Sequence, residues 1–118
     1  MNIEEFRDYC LSKKGITEEF LFDAVTLVFK VMGKMFALCG LERVPTQVNL
    51  KCDPERAIQL REEHEEIIEG WHMSKVHWNT IYMERLNPKL TKELIDQSYD
   101  LVVAKFTKKL KAELDALA

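Results

Sequence analysis

The sequence predicts one two-layer α+β domain, an antiparallel sheet with helices packed on one side, in the order α-βββ-α-ββ-α. Three observations predict it. The 118 residues suffice for one continuous core and are too few for two. Segments with apolar residues at helical spacing alternate with segments in which they recur every second residue. No Gly-, Ser- or Pro-rich stretch and no repeat divides the chain, so residues 1–118 read as a single domain.

Each element has its own signal. Asn2 caps a first helix with Glu5 at its third position, and Ile3, Phe6 and Cys10 form the apolar stripe. Lys13, Lys14 and Gly15 end it. From Ala24 to Val31, Leu27, Phe29 and Val31 fall on one side and Thr26, Val28 and Lys30 on the other, the alternation of a strand. Met32-Gly33 is a two-residue turn into a second strand over Lys34–Cys39, which makes a hairpin. After Pro45, Gln47, Asn49 and Lys51 alternate with Val48 and Leu50, a third strand with one wet face offered as a contact surface. Asp53-Pro54 opens a second helix with Ala57, Leu60 and His64 inward, ending in an acidic run from Glu62 to Glu69 that reads as a solvated face. Ile67-Ile68 begins a fourth strand and Thr80–Met83 forms a fifth. Asn87-Pro88 or Thr91 opens a long helix with Leu94, Ile95, Ser98, Leu101 and Val102 on one face, and a break near Thr107 sets off a last amphipathic piece.

Composition narrows the function. The longest apolar runs are broken by Lys30, Gly33 and Lys34, far short of a membrane span. The chain opens with Asn2, Glu4 and Glu5 instead of an export signal, so a cytoplasmic location is expected. Cys10, Cys39 and Cys52, odd in number and widely spaced, suit free thiols. A net charge of -3 argues against a broadly basic surface, so any nucleic-acid contact must use a local patch.

The stretch from Gly70 to Thr80 concentrates chemistry. It holds Trp71, His72, Lys75, His77, Trp78 and Asn79. Indole faces stack on bases, Lys75 and protonated imidazoles meet phosphate, and Asn79 can pair with an amide-like edge. The plain alternative is that both tryptophans fill the core and the histidines bond to backbone carbonyls. Zinc at His72 and His77, with His64 or Cys52, lacks any established ligand spacing, so no metal or cofactor is expected. No nucleophile elbow or phosphate-cradling glycine loop is present, and a non-enzymatic role is expected. Lys105, Lys108, Lys109 and Lys111 surround Leu110, Leu114 and Leu117, a solvated helix face with phosphate contact as the alternative.

Together these segments resemble the MmcQ/YjbR family. The likeness is carried by Val28-Phe29-Lys30-Val31 with Gly33-Lys34-Met35-Phe36-Ala37, by Asn49-Leu50-Lys51-Cys52 with Pro54-Glu55-Arg56, by the stretch from Gly70 to Thr80, and by Leu94-Ile95 with Ser98-Tyr99-Asp100-Leu101-Val102. The resemblance implies a small two-layer fold described as a double wing, and DNA as the partner. It draws attention to Lys30, Lys34, Lys51, His72, Lys75, His77, Trp78 and Asn79. Trp71, Ser74 and Val76 stand where the family usually has tyrosine, asparagine and often a second lysine, and Leu21 replaces a common proline. The expected function is a binding module that engages DNA through a local basic patch, with Lys30 and Lys51 on the polar sheet face and Lys75 at its edge. The alternative is a small-molecule or protein site on Trp71–Asn79, and an enzyme comes third.

Overall fold

A computed structural model describes residues 1–70 and 73–117. The elements run α1 (Ile3–Leu11), β1 (Ile16–Glu19), β2 (Thr26–Val31), β3 (Lys34–Gly40), β4 (Gln47–Lys51), α2 (Pro54–Glu63), β5 (Ile67–Glu69), β6 (Trp78–Tyr82), α3 (Pro88–Ala104) and α4 (Lys108–Asp115). The strands form one antiparallel sheet in the order β1-β2-β3-β4-β6-β5. The predicted class holds, with one more strand than the sequence suggested. β1 carries a single apolar residue, Ile16, and so has no period-two signal. It is an edge strand paired only with β2, where charged side chains guard against stray pairing.

The local chemistry explains the boundaries. Asn2 and Glu5 close a reciprocal capping box at the start of α1. Asp53 caps α2 with Pro54 at its first turn, and Asn87 does the same for α3 ahead of Pro88. Thr107 accepts from the Leu110 N–H and starts α4 as a separate helix. Met32 and Gly33 both take positive φ, 47° and 84°, which the tight turn between β2 and β3 demands.

All four helices contribute to one core on one face of the sheet. Phe6 and Cys10, Ala57 and Leu60, Leu94 and Ile95, and Leu114 pack with Phe29, Cys39, Val48, Leu50 and Ile81. The three thiols are free and buried. On the opposite face Val28, Leu38 and Trp78 form a second small cluster, flanked by Met35 and Met73.

This second cluster corrects the expectation of a wet contact face on β4. Asn49 is fully buried there and accepts from the Thr80 hydroxyl at 2.5 Å. A polar side chain at an outward position signals exposure only when nothing covers it, and here its own partner lies across the ladder, since Asn49 pairs with Thr80.

Candidate functional site

Antiparallel order brings six strand ends together. At one end of the sheet lie the starts of β1, β3 and β6 and the ends of β2, β4 and β5. Lys34 opens β3, Lys51 closes β4, and Trp78 opens β6 directly opposite Lys51. α3 crosses β3 and β4 and delivers its C-cap, Lys105, to the same place.

A bulge and a serine fix this end. Phe29 pairs with Ala37 and Lys30 with Met35, so Phe36 is passed over in the register and turns into the core with Ala37. The β3–β4 ladder stops at Ala37 and Leu50. One step further, Ser98 of α3 takes over: its buried hydroxyl donates to the Phe36 carbonyl at 2.5 Å and accepts from the Lys51 N–H at 2.9 Å. Beyond Lys51, the Cys52 N–H donates to the His77 carbonyl at 2.8 Å. Both sides of the end of β4 are thereby held.

Lys34, Lys51 and Lys105, with Val102 and Phe106, line a hollow of about 210 Å³. None of the ion pairs among the described residues involves these three lysines. Partial burial, and then the nearby Lys105 ammonium, hold Lys51 below the ordinary lysine range. The negative end of α3 favours Lys105. Among the described residues no ion pair joins Lys34 or Lys51, so the hollow gathers three lysines beside the aromatic ring of Phe106.

The residues singled out in the sequence separate into groups. Lys34 and Lys51 belong to this hollow. Lys30 does not: it pairs with Glu19 at 2.5 Å on the outer face, and β1 supplies the carboxylate. Lys75 lies 3.5 Å from Glu69 in an exposed pair of little energetic weight. His77 is exposed at the same sheet end, while its carbonyl serves the structure. Trp78 is only 7 % exposed and fills the small outer cluster, so its indole is not a free stacking platform. Asn79 is corrected most clearly. Alternation along β6 turns it to the helix side, where it is buried, accepts from the Arg61 guanidinium at 2.7 Å and donates to the Ala57 carbonyl at 3.3 Å. Trp71 and His72 lie outside the described residues.

Two residues of the site were not singled out. Lys105 read as one of four solvated lysines, and nothing in its neighbours distinguished it. Ser98 was placed on the inner face of its helix, and a buried serine among Leu94, Ile95 and Val102 was the available signal.

Other polar clusters are internally satisfied. Asp96 accepts from both the Tyr9 hydroxyl and Lys13, which also lies 5.1 Å from the centre of the Tyr99 ring, a lock between α1 and α3. Burial and the Asp96 bond push Tyr9 up to about 12. Burial likewise raises Cys39 to about 12 and Cys10 above the usual thiol range, so neither supplies a thiolate at neutral pH. Among the described residues no group of three or more His, Cys, Asp or Glu side chains is arranged to hold a metal ion. No helix among them is long and apolar enough to cross a membrane.

The chain is similar to several known proteins. The sequence profile of the YjbR family matches residues 11–101. The uncharacterised protein YjbR of Escherichia coli strain K12 is 32 % identical over 104 residues, covering 87 % of this chain and 88 % of the relative. The uncharacterised protein YyaQ of Bacillus subtilis is 38 % identical over 76 residues, 64 % of this chain and 63 % of its own length. Among solved structures, Deinococcus radiodurans DR2400, of the domain family DUF419, superposes with a TM-score of 0.89 at 38 % identity, over 97 % of this chain and 88 % of that one. A Pseudomonas syringae protein superposes with a TM-score of 0.75 at 28 % identity, over 86 % and 98 % of the two chains.

Proposed function

The chain belongs to the YjbR family, and we propose that it is a non-enzymatic binding module that grips a phosphate-bearing ligand, DNA foremost, at the sheet end where Lys34, Lys51 and Lys105 converge. One observation carries the reading. Three lysines from β3, β4 and the C-cap of α3 line one hollow, and none of them joins a described ion pair. Gathering like charges costs free energy, and a partly buried lysine among them costs more, so an anion is the natural complement. Phosphate is the anion that lysines bind as point charges without a planar fork. His77 and Lys75 are exposed at the same end, Lys75 beside Glu69.

The location also suits a chain with net charge -3, because the longest acidic run, Glu62, Glu63, Glu65 and Glu66, lies at the end of α2 and before β5, at the other end of the sheet. Repulsion there would orient a polyanion toward the lysine end. A small-molecule or protein site on Trp71–Asn79 is less well supported, since Asn79 and Trp78 serve opposite faces of the protein's own packing.

The test is a salt titration of binding to short single- and double-stranded DNA. Wild-type affinity should fall with salt on a logarithmic slope, and Lys34→Ala/Lys51→Ala/Lys105→Ala should weaken binding and flatten that slope by roughly 2 to 3. All three positions are exposed or half-buried, so folding is preserved. Absence of binding at low ionic strength, or a triple variant indistinguishable from wild type, refutes the reading.

A further inference from the structure

A second, larger hollow adjoins the lysine site along the chain. It measures about 360 Å³ and is lined by Asp53, Arg56, Gln97, Asp100, Leu101 and Ala104. Ala104 precedes Lys105, and Lys51 leads through Cys52 to Asp53, so the two hollows are lined by neighbouring residues at the end of α3 and the exit of β4. From Leu101 to Lys105 the helix advances about 6 Å.

The two hollows differ in chemistry. Gln97, Leu101 and Ala104 recur at i, i+4 and i+7 on α3, which sets an amide and two apolar side chains in one stripe. Leu101 and Ala104 give a flat ring something to lie on, Gln97 offers a donor and an acceptor to a base edge, and the Arg56 guanidinium can stack on a π face. Asp53 and Asp100 accept from hydroxyls and repel phosphate. Part of Asp53 is already used, since it accepts from the Arg56 N–H at 3.3 Å, which leaves Asp100 as the freer acceptor. The combined site is cationic at one end and carboxylate- and amide-bearing at the other. A ligand that matches it carries its anion at one end and hydroxyls with a flat heterocycle at the other.

Resting on the phosphate site proposed above, we propose that the bound unit is a nucleoside monophosphate free of duplex pairing. Its phosphate lies among Lys34, Lys51 and Lys105, and its sugar and base lie between α2 and α3. A paired base stacked in a duplex cannot enter such a hollow without leaving the stack.

Calorimetric titration with three probes separates the claims. Adenosine monophosphate should bind wild type about tenfold or more tighter than inorganic phosphate. Gln97→Ala/Asp100→Asn changes two exposed residues and should bring adenosine monophosphate down to the phosphate level while leaving phosphate binding unchanged. A 5′-phosphorylated single strand that outcompetes the mononucleotide identifies a strand terminus as the source, and the reverse identifies the free nucleotide. Both support the inference, whereas a blunt duplex binding as well as the single strand overturns it. Equal affinity for phosphate and adenosine monophosphate, or a double variant that retains the preference, also overturns it and leaves the lysine site standing. Failure of phosphate, nucleotide and DNA alike overturns the underlying reading as well.

Discussion

Ser98→Ala tests the architecture on which the lysine site depends. The hydroxyl is fully buried and makes two bonds, donating to the Phe36 carbonyl at 2.5 Å and accepting from the Lys51 N–H at 2.9 Å. Its removal shortens the side chain by one atom and leaves two facing backbone groups without a partner. The bulge at Phe36 and Ala37 keeps them from closing on each other, because Phe36 is passed over in the register. An orphaned buried backbone group costs about 1–3 kcal/mol, so two of them, with some relaxation, cost about 2–4 kcal/mol. For a domain of this size that is a fall in Tm of about 8–16 °C. Chemical denaturation gives the free energy, and amide exchange reports the Lys51 N–H directly, which should lose protection beyond the global change. A loss below about 0.5 kcal/mol, with the Lys51 amide exchanging no faster relative to its neighbours, would refute the splice.

Three further outcomes follow from the geometry. Asn79→Ala strips the Arg61 guanidinium and the Ala57 carbonyl of a partner and should cost about 1–3 kcal/mol in a urea melt, with DNA affinity per folded molecule unchanged. Lys51→Met should be at least as stable as wild type at pH 7 while losing anion affinity. The folded-state pKa of Lys51 lies below its unfolded value, so its charge counts against the fold at neutral pH and ceases to as pH rises toward about 10; parallel melts at pH 7 and 10 should show the advantage shrinking. Glu18→Gln removes a carboxylate that the Arg7 guanidinium holds below the usual range. Its contribution is present above the unfolded pKa of about 4.3 and is lost as pH falls through the lower folded value, so the wild-type advantage in acid melts should vanish there.

The fold was legible where local chemistry and hydrophobic period agreed. The capped helix at Asn2, the proline-led starts of α2 and α3, and the Met32-Gly33 hairpin all stand where propensity and capping put them. β1 was not, because an edge strand with charged residues and one apolar position has no pattern to read. Of the candidate site, Lys34 and Lys51 were singled out through the family resemblance, with Lys51 expected on a polar sheet face and not at a strand end. Lys105 was hidden among four lysines of the same local character. The stretch from Lys75 to Asn79 misled in a specific way: closeness in sequence suggested a shared surface, yet a strand sends successive side chains to opposite faces, and Trp78 and Asn79 part company at once.

The same alternation explains why the site sits at an edge of the structure instead of on the sheet face. Side chains in the middle of β2, β3, β4 and β6 are committed on both faces, to the helix-covered core on one and to Val28, Leu38, Trp78 and the Asn49–Thr80 bond on the other. A cation placed there would need a partner, and the one sheet lysine remote from the hollow, Lys30, has it in the exposed Glu19 of the edge strand β1. Only residues that begin or end an element escape that demand. Lys34, Lys51 and Lys105 are each terminal, and an all-antiparallel order gathers such termini from distant parts of the chain. The lysines outside the described ion pairs thus gather where backbone packing tolerates them, and Ser98 is the covalently distant residue that keeps two of those termini in register.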